Sequence, residues 1–255
     1  MDRLRPLGRT GLRVSPLGLG TTKFGRNAGV KYPHSFELPT DAQISALLDR
    51  ARNWGINLID TAPAYGTSEE RIGHLLVDRE QWVIATKVGE TFEDGVSHFD
   101  FSREAVQRSV EESLRRLRTD WLDLVLLHSD GDDLKVLDET DALPTLEALR
   151  DSGKIRAIGA STKTVEGGLR ATELCDVVML SLSRADSSQT PVIESAAQAQ
   201  VGVLVKKPLA SGHDPAPGVA LAQVAARPGL TSIVVGTLST DHLDENAQAI
   251  GLMCV

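Results

Sequence analysis

Aromatic rings, cysteine and surplus positive charge are all scarce in this chain, and each scarcity removes a class of protein. Only 4% of the 255 residues are aromatic (5 Phe, 2 Tyr and 3 Trp), while 41% are hydrophobic overall. The core must therefore be built from Leu, Val, Ile and Ala. Two cysteines, Cys175 and Cys254, stand 79 residues apart without CxxC or Cys/His spacing. That pattern predicts no structural metal and a reduced, cytoplasmic setting, with a single long-range disulfide as the alternative. Lys and Arg number 27 against 35 Asp and Glu, a net charge of −8 spread along the chain. A nucleic acid or an anionic membrane would need a basic surface, which this balance does not supply. No apolar run approaches the roughly 18 residues of a spanning helix. The Arg-rich start MDRLRPLGRTGLRVSPLGLG has no apolar h-region, so no secretory signal is expected. A small molecule is the partner these absences leave, with monomer and homodimer both open.

What the sequence does contain is an alternation. Eight short apolar runs, Leu17 to Gly20, Ile56 to Ile59, Trp82 to Thr86, Leu122 to Leu127, Ile155 to Gly159, Val177 to Leu182, Gly202 to Val205 and Ser232 to Val235, are separated by longer segments of helical period. Runs so short, rich in β-branched residues or Leu, read as parallel strands buried on both faces. Val106, Val110, Leu114 and Leu117 mark one helix face between Ser102 and Arg118, and Thr40 to Gln43 and Thr67 to Glu70 read as capping boxes. Eight strand–helix units predict an α/β protein, a (β/α)8 TIM barrel forming a single domain over 1–255. An open dinucleotide-binding sheet would need GxGxxG after its first strand, but Gly18-Leu19-Gly20 continues as Thr21-Thr22-Lys23. The segment Leu4 to Val14 reads as a β-hairpin that turns at Arg9-Thr10-Gly11 and plugs the N-terminal mouth of the barrel.

Barrel chemistry sits at the C-terminal ends of the strands. Asp60 ends the second run, Lys87 the third and His128 the fourth, and Tyr65 follows Asp60 by five residues. Singly, each has a plain structural explanation: a helix cap, a solvated lysine, a core histidine. Four on one rim point to chemistry. An ammonium beside a phenol favours the phenolate and lowers its pKa from about 10. A carboxylate holds that ammonium in place, and a histidine can donate to an oxygen gaining charge. The set suits proton delivery to a carbonyl oxygen.

With these residues the chain resembles the aldo-keto reductases. The resemblance rests on Leu7-Gly8-Arg9-Thr10-Gly11 with Gly18-Leu19-Gly20-Thr21, Ile59-Asp60-Thr61-Ala62 with Tyr65-Gly66, and Thr86-Lys87. It continues through Asp123 to His128, Ile158-Gly159-Ala160-Ser161, Pro208-Leu209-Ala210-Ser211-Gly212, and Gly236 with Leu243-Asp244-Glu245-Asn246. The resemblance implies an NADPH-dependent reduction of a carbonyl substrate by hydride transfer. Tyr65 would be the general acid, Lys87 and Asp60 would tune it, and His128 would orient the carbonyl. Around the cofactor it implies Thr21 and Asp60, Ser161 and Thr162 at the carboxamide, Leu209 and Ser211 along the pyrophosphate, and Gly236, His242, Glu245 and Asn246 toward the adenosine.

Several positions depart from that family. Thr162 stands in place of Asn, Met179 in place of Gln, and Lys206 where an aromatic ring stacks on the nicotinamide. Lys206 could pack its stem on the ring, reach the pyrophosphate, or point to solvent. Leu238 and His242 replace the cations that grip the 2′-phosphate, which opens the way to NADH. The chain stops nine residues after Asn246, where the family carries a longer substrate-covering tail, so an open pocket is expected. Seven of the ten rings, Phe24, Tyr32, Phe36, Tyr65, Phe92, Phe99 and Phe101, fall in the loops after strands one to three. Of these, Phe24 and Phe92 join Tyr65 and His128 as the expected substrate wall. Two other functions stay open: a cofactor-sensing barrel with little turnover, resembling channel-associated β subunits, and a Schiff-base barrel using Lys87, which a partner carboxylate would disfavour.

Overall fold

The computed structural model describes residues 4–254. Eight parallel strands close into a barrel: β1 Leu17–Gly20, β2 Leu58–Asp60, β3 Val83–Val88, β4 Leu122–His128, β5 Ile155–Ser161, β6 Val177–Ser181, β7 Gly202–Lys206 and β8 Ser232–Val235. Each follows one of the apolar runs, because a strand covered by helices outside and by other strands' side chains inside must be apolar on both faces. Outside lie the helices α1 Asp41–Asn53, α2 Ser68–Leu75, α3 Arg103–Leu117, α4 Ala142–Asp151, α5 Val165–Leu174, α6 Thr190–Ala199, α7 Pro217–Ala225 and α8 Thr240–Ala249.

Two apolar layers hold this arrangement. Between strands and helices lie Leu17, Ile44, Ile59, Ile84, Val125, Ile158 and their neighbours. Inside the barrel, Leu58, Ala85, Leu124, Leu126, Ala157, Met179, Leu204 and Val234 pack on Leu7 and Val14 of an N-terminal hairpin, Arg5–Pro6 paired with Arg13–Val14. That hairpin closes the N-terminal mouth, as the sequence predicts. Gly8 has φ +57°, and a Cβ there would lie 2.4 Å from the Gly202 nitrogen at the start of β7. Only glycine allows the plug to seat.

Local signals fared unequally. At α1 the capping box forms: the Gln43 N–H donates to Thr40 Oγ1, and the Thr40 N–H to Gln43 Oε1. At α2 it does not, because Thr67 has φ −85° and ψ 9° and makes no side-chain cap bond. The next two residues are turned inward instead, and Ser68 and Glu69 are buried. Both cysteines are free; Cys175 is buried, which pushes its thiol up to about 12, and Cys254 is exposed. No helix among the described residues is long and apolar enough to cross a membrane.

Candidate active site

Strand alternation determines what the barrel mouth contains. Leu58, Ala85, Leu126, Leu204 and Val234 belong to the interior plug layer, so the residues two positions further on also point inward. Those residues are Asp60, Lys87, His128, Lys206 and Gly236. By the same count Ala157 leads to Ser161 on β5. An apolar layer is thus capped by a polar one at the C-terminal end.

Lys87, 1% exposed, donates through Nζ to Asp60 Oδ1 at 2.6 Å and to the Thr61 carbonyl at 2.8 Å. Tyr65 closes a single 3-10 turn, Pro63–Tyr65, that begins with proline. The Lys87 ammonium lies 4.6 Å from the Tyr65 ring centre, and the His128 ring meets Tyr65 edge-on with centres 6.3 Å apart. The four residues therefore share one centre. Burial opposes the charge on Lys87, but Asp60 and Tyr65 outweigh it and hold its pKa above the usual value. The expected lowering of Tyr65 is not what results. Burial raises its pKa, and the opposing pull of Lys87 is too small to reverse this. Tyr65 is thus a fully protonated donor throughout the neutral range.

Glu90 is the charged residue that sequence reasoning missed. Its Oε2 lies 2.7 Å from Nδ1 of His128, its Oε1 accepts from Ser97 Oγ at 2.6 Å, and Arg26 stands 3.9 Å away. Although burial works against the carboxylate, His128, Ser97 and Arg26 draw it down to about 2. Burial lowers the His128 pKa, Glu90 opposing, so the imidazole is mostly neutral at pH 7. An ionised carboxylate 2.7 Å from Nδ1 favours the single proton on Nδ1, which leaves Nε2 as an acceptor. Glu90 opens a second hairpin, Glu90–Glu93 with Val96–Phe99, turning at Asp94 (φ 50°) and Gly95 (φ 83°). The Asp94-Gly95 turn pair is the sequence signal that would have found it.

The predicted substrate and cofactor residues divide. Phe24 is fully buried between barrel and helices in a short helix, Thr22–Gly25, and has no surface to offer a substrate. Phe92 is covered on one face by Arg26, 3.3 Å from the ring centre. Thr21 is also fully buried, and its hydroxyl donates to the Asp60 carbonyl at 2.9 Å, tying β1 to β2 rather than facing a ligand. Tyr32 gains importance. A Cβ on Gly236 would lie 3.5 Å from the Tyr32 hydroxyl, and Lys23 sits 4.1 Å over its ring. Burial, then Tyr65 and Asp60, push Tyr32 up to about 12, so it faces the same centre. The neighbouring Lys31 carbonyl meets His213 Nε2 at 3.2 Å, fastening this loop to the one after β7. Beside the mouth, a groove of about 470 Å³ runs between the second hairpin and α3, lined by Glu90, Phe92, Arg108 and Arg116 among others. It adjoins the four central residues without including them.

The remaining residues fit a nicotinamide cofactor. Thr162 is 2% exposed, and its Oγ1 has no hydrogen-bond partner within the protein, as a group awaiting a polar ligand would be. Ser161 Oγ accepts from Lys206 Nζ at 2.7 Å and keeps its own proton. After β7, Lys207, Ala210, Ser211 and Gly212 all have positive φ, between 49° and 89°. Three non-glycine residues held there mark a strained loop of the kind found at ligand sites. Asn246 is buried on α8, while His242 and Glu245 are exposed. No group of three metal-ligating side chains lies together among the described residues.

Residues 16–216 match the Aldo/keto reductase family. The chain belongs to the aldo-keto reductases. A solved structure from Pseudomonas aeruginosa, assigned to the same family, is 53% identical, with a TM-score of 0.89 over 98% of this chain and 94% of that one. The holo form of an aldo-keto reductase from Bacillus halodurans is 25% identical, with a TM-score of 0.79 over 99% and 92%. L-galactose dehydrogenase of Arabidopsis thaliana is 37% identical over 164 residues, 61% of this chain and 47% of that protein. The chain spans about half the length of such curated relatives. The two solved structures share its fold over nearly the whole chain.

Proposed function

We propose that this aldo-keto reductase reduces an aldehyde or ketone to an alcohol with a nicotinamide cofactor. The observation that supports this best is the inward layer in which Asp60, Lys87 and His128 meet Tyr65. A bound cofactor would supply the hydride. The protein's own part is the proton. Tyr65, kept protonated by burial, gives it to the carbonyl oxygen, and Lys87 stabilises the phenolate that remains. Asp60 fixes that ammonium within 2.6 Å. Ser161, Thr162, the 207–212 loop, Gly236 and Asn246 would hold the cofactor, and Tyr65, His128 and Tyr32 would border the substrate. Incubation with NADPH or NADH and a panel of aldehydes, aromatic ketones and quinones tests the reading. Cofactor binding without oxidation for any of them would favour the sensor function instead.

Glu90 gives the His128 step a pH dependence. Only the imidazolium can donate through Nε2 while Nδ1–H faces Glu90, so reduction should accelerate as pH falls through the His128 pKa, below the usual 6.5. In Glu90→Gln the amide can donate to Nδ1, which moves the neutral proton to Nε2. The pH–rate profile of that variant should flatten on the acid side, below 6.5, and an unchanged profile would contradict the proton assignment.

NADPH is the family's implication, and NADH use follows from the first turn of α8. That turn carries Asp241 and an exposed His242 with no Lys or Arg, so a 2′-phosphate meets a helix N-terminus but no permanent cation. We expect comparable affinities for the two cofactors. His242→Arg should strengthen NADPH binding about tenfold, through a charge-assisted bond of roughly 1.5 kcal/mol, and leave NADH unchanged. Fluorescence titration of both cofactors reads this directly.

A further inference from the structure

Lys206 has a geometry that the reductase mechanism does not use. It stands at the C-terminal end of β7, two residues beyond the interior Leu204, so its side chain enters the barrel mouth, where it is half-buried. Nζ donates to Ser161 Oγ at 2.7 Å and to the Thr162 carbonyl at 3.1 Å. Among the described residues no carboxylate lies within ion-pair distance of it. Two acceptors match the two N–H bonds of a neutral amine and leave its lone pair unengaged. We propose that Lys206 is a nucleophilic amine that captures small aldehydes and ketones as reversible imines.

The surroundings agree. Burial comes first, then the like charges of Lys207 and Lys87, against weaker pulls from Asp60 and Asp133, and together they bring Lys206 down to about 7. His128, the remaining titratable neighbour in this layer, feels Lys206 in turn. A lysine desolvated beside other cations is the arrangement that activates an amine. Lys87 cannot play this part, because Asp60 holds its proton. In the step itself the amine lone pair bonds to the carbonyl carbon, and the C=O π electrons move to oxygen. That oxygen takes up the proton released from nitrogen, giving a carbinolamine. Loss of hydroxide and of the second N–H proton, together as water, leaves the C=N bond. No oxidant or reductant is consumed. Ser161, in contact with Nζ, is placed to relay the proton.

The inference rests on carbonyl compounds entering this barrel mouth, and its test is kept separate from reduction. Cofactor-free protein is treated at pH 7 with propionaldehyde and sodium cyanoborohydride, and the propylated lysines are mapped by mass spectrometry. At pH 7 an ordinary lysine is neutral in fewer than about one molecule in a thousand, whereas an amine with a pKa near 7 is about half neutral. Lys206 should therefore label on the order of a hundred times faster than exposed Lys135. Its labelling should fall away below pH 6, and prior addition of NADPH should slow it. Lys206→Arg keeps the cation and loses the label, while Tyr65→Phe, which should stop reduction, retains it. Labelling of Lys206 no faster than of Lys135, or rising only above pH 9, would overturn the proposal. The wild-type map decides even if Lys206→Arg fails to fold.

Discussion

Tyr65→Phe should bind nicotinamide cofactors as the parent does and reduce aldehydes at least a hundredfold, and about a thousandfold, more slowly. General acid catalysis of this kind contributes roughly 10² to 10⁴ in rate, and the Tyr65 ring lies against both Lys87 and His128. The ring itself remains in Phe, so packing against its 3-10 turn is preserved and the loss should appear in kcat, with KM little changed. Water cannot readily take over, because the proton must reach a centre where Lys87 is 1% exposed. Tyr32 is the only other tyrosine in the chain, and with its pKa pushed up to about 12 it is a poor acid near neutrality. A residual rate above one tenth of the parent's would show that another group delivers the proton.

Lys87→Met should damage stability as well as activity. The Lys87–Asp60 pair is buried, with side-chain exposures of 2% and 7%, and the ammonium has the Thr61 carbonyl as a further acceptor. Removing one member of such a pair leaves the other charge without compensation and costs about 3–5 kcal/mol. Replacing both with apolar residues of similar size is often neutral. Urea denaturation should therefore rank Lys87→Met well below the parent, with Asp60→Leu/Lys87→Met recovering most of the difference. Neither variant should reduce carbonyls. A double variant no more stable than Lys87→Met would mean that the pair is not the origin of the loss.

These expectations rest partly on what the sequence shows and partly on what only the fold shows. The barrel was legible because strands covered on both faces must be apolar along their length, and eight such runs with capped helices between them admit few architectures. The central residues were legible because a polar side chain ending an apolar run conflicts with burial unless it has a task. Lys206 obeyed the same rule, yet its direction could not be decided without the register that puts Leu204 inside. Phe24 and Thr21 show the opposite limit. Both sit where a loop leaves β1, but a short helix folds them back beneath the rim, and sequence position alone does not distinguish rim from underlayer. Glu90 was hidden because its hairpin mixes Phe92, Val96 and Phe99 with charged and polar residues and buries none of them, so only the Asp94-Gly95 turn announces it. The failed cap at Thr67 has a tertiary cause: Ser68 bonds to Thr21 and Glu69 accepts from Thr86 at 2.6 Å, and those buried contacts fix the helix start.

The central claim is that this barrel transfers a hydride to a carbonyl while Tyr65 supplies the proton. It is tested most directly by following deuterium from a nicotinamide cofactor labelled at C4 into the alcohol product, with the wild type and Tyr65→Phe under identical saturation by cofactor. The account predicts deuterium on the former carbonyl carbon with the wild type and almost none with Tyr65→Phe in the same time. Equal incorporation by both proteins, or cofactor bound by the wild type with no deuterium transferred to any carbonyl offered, would contradict it.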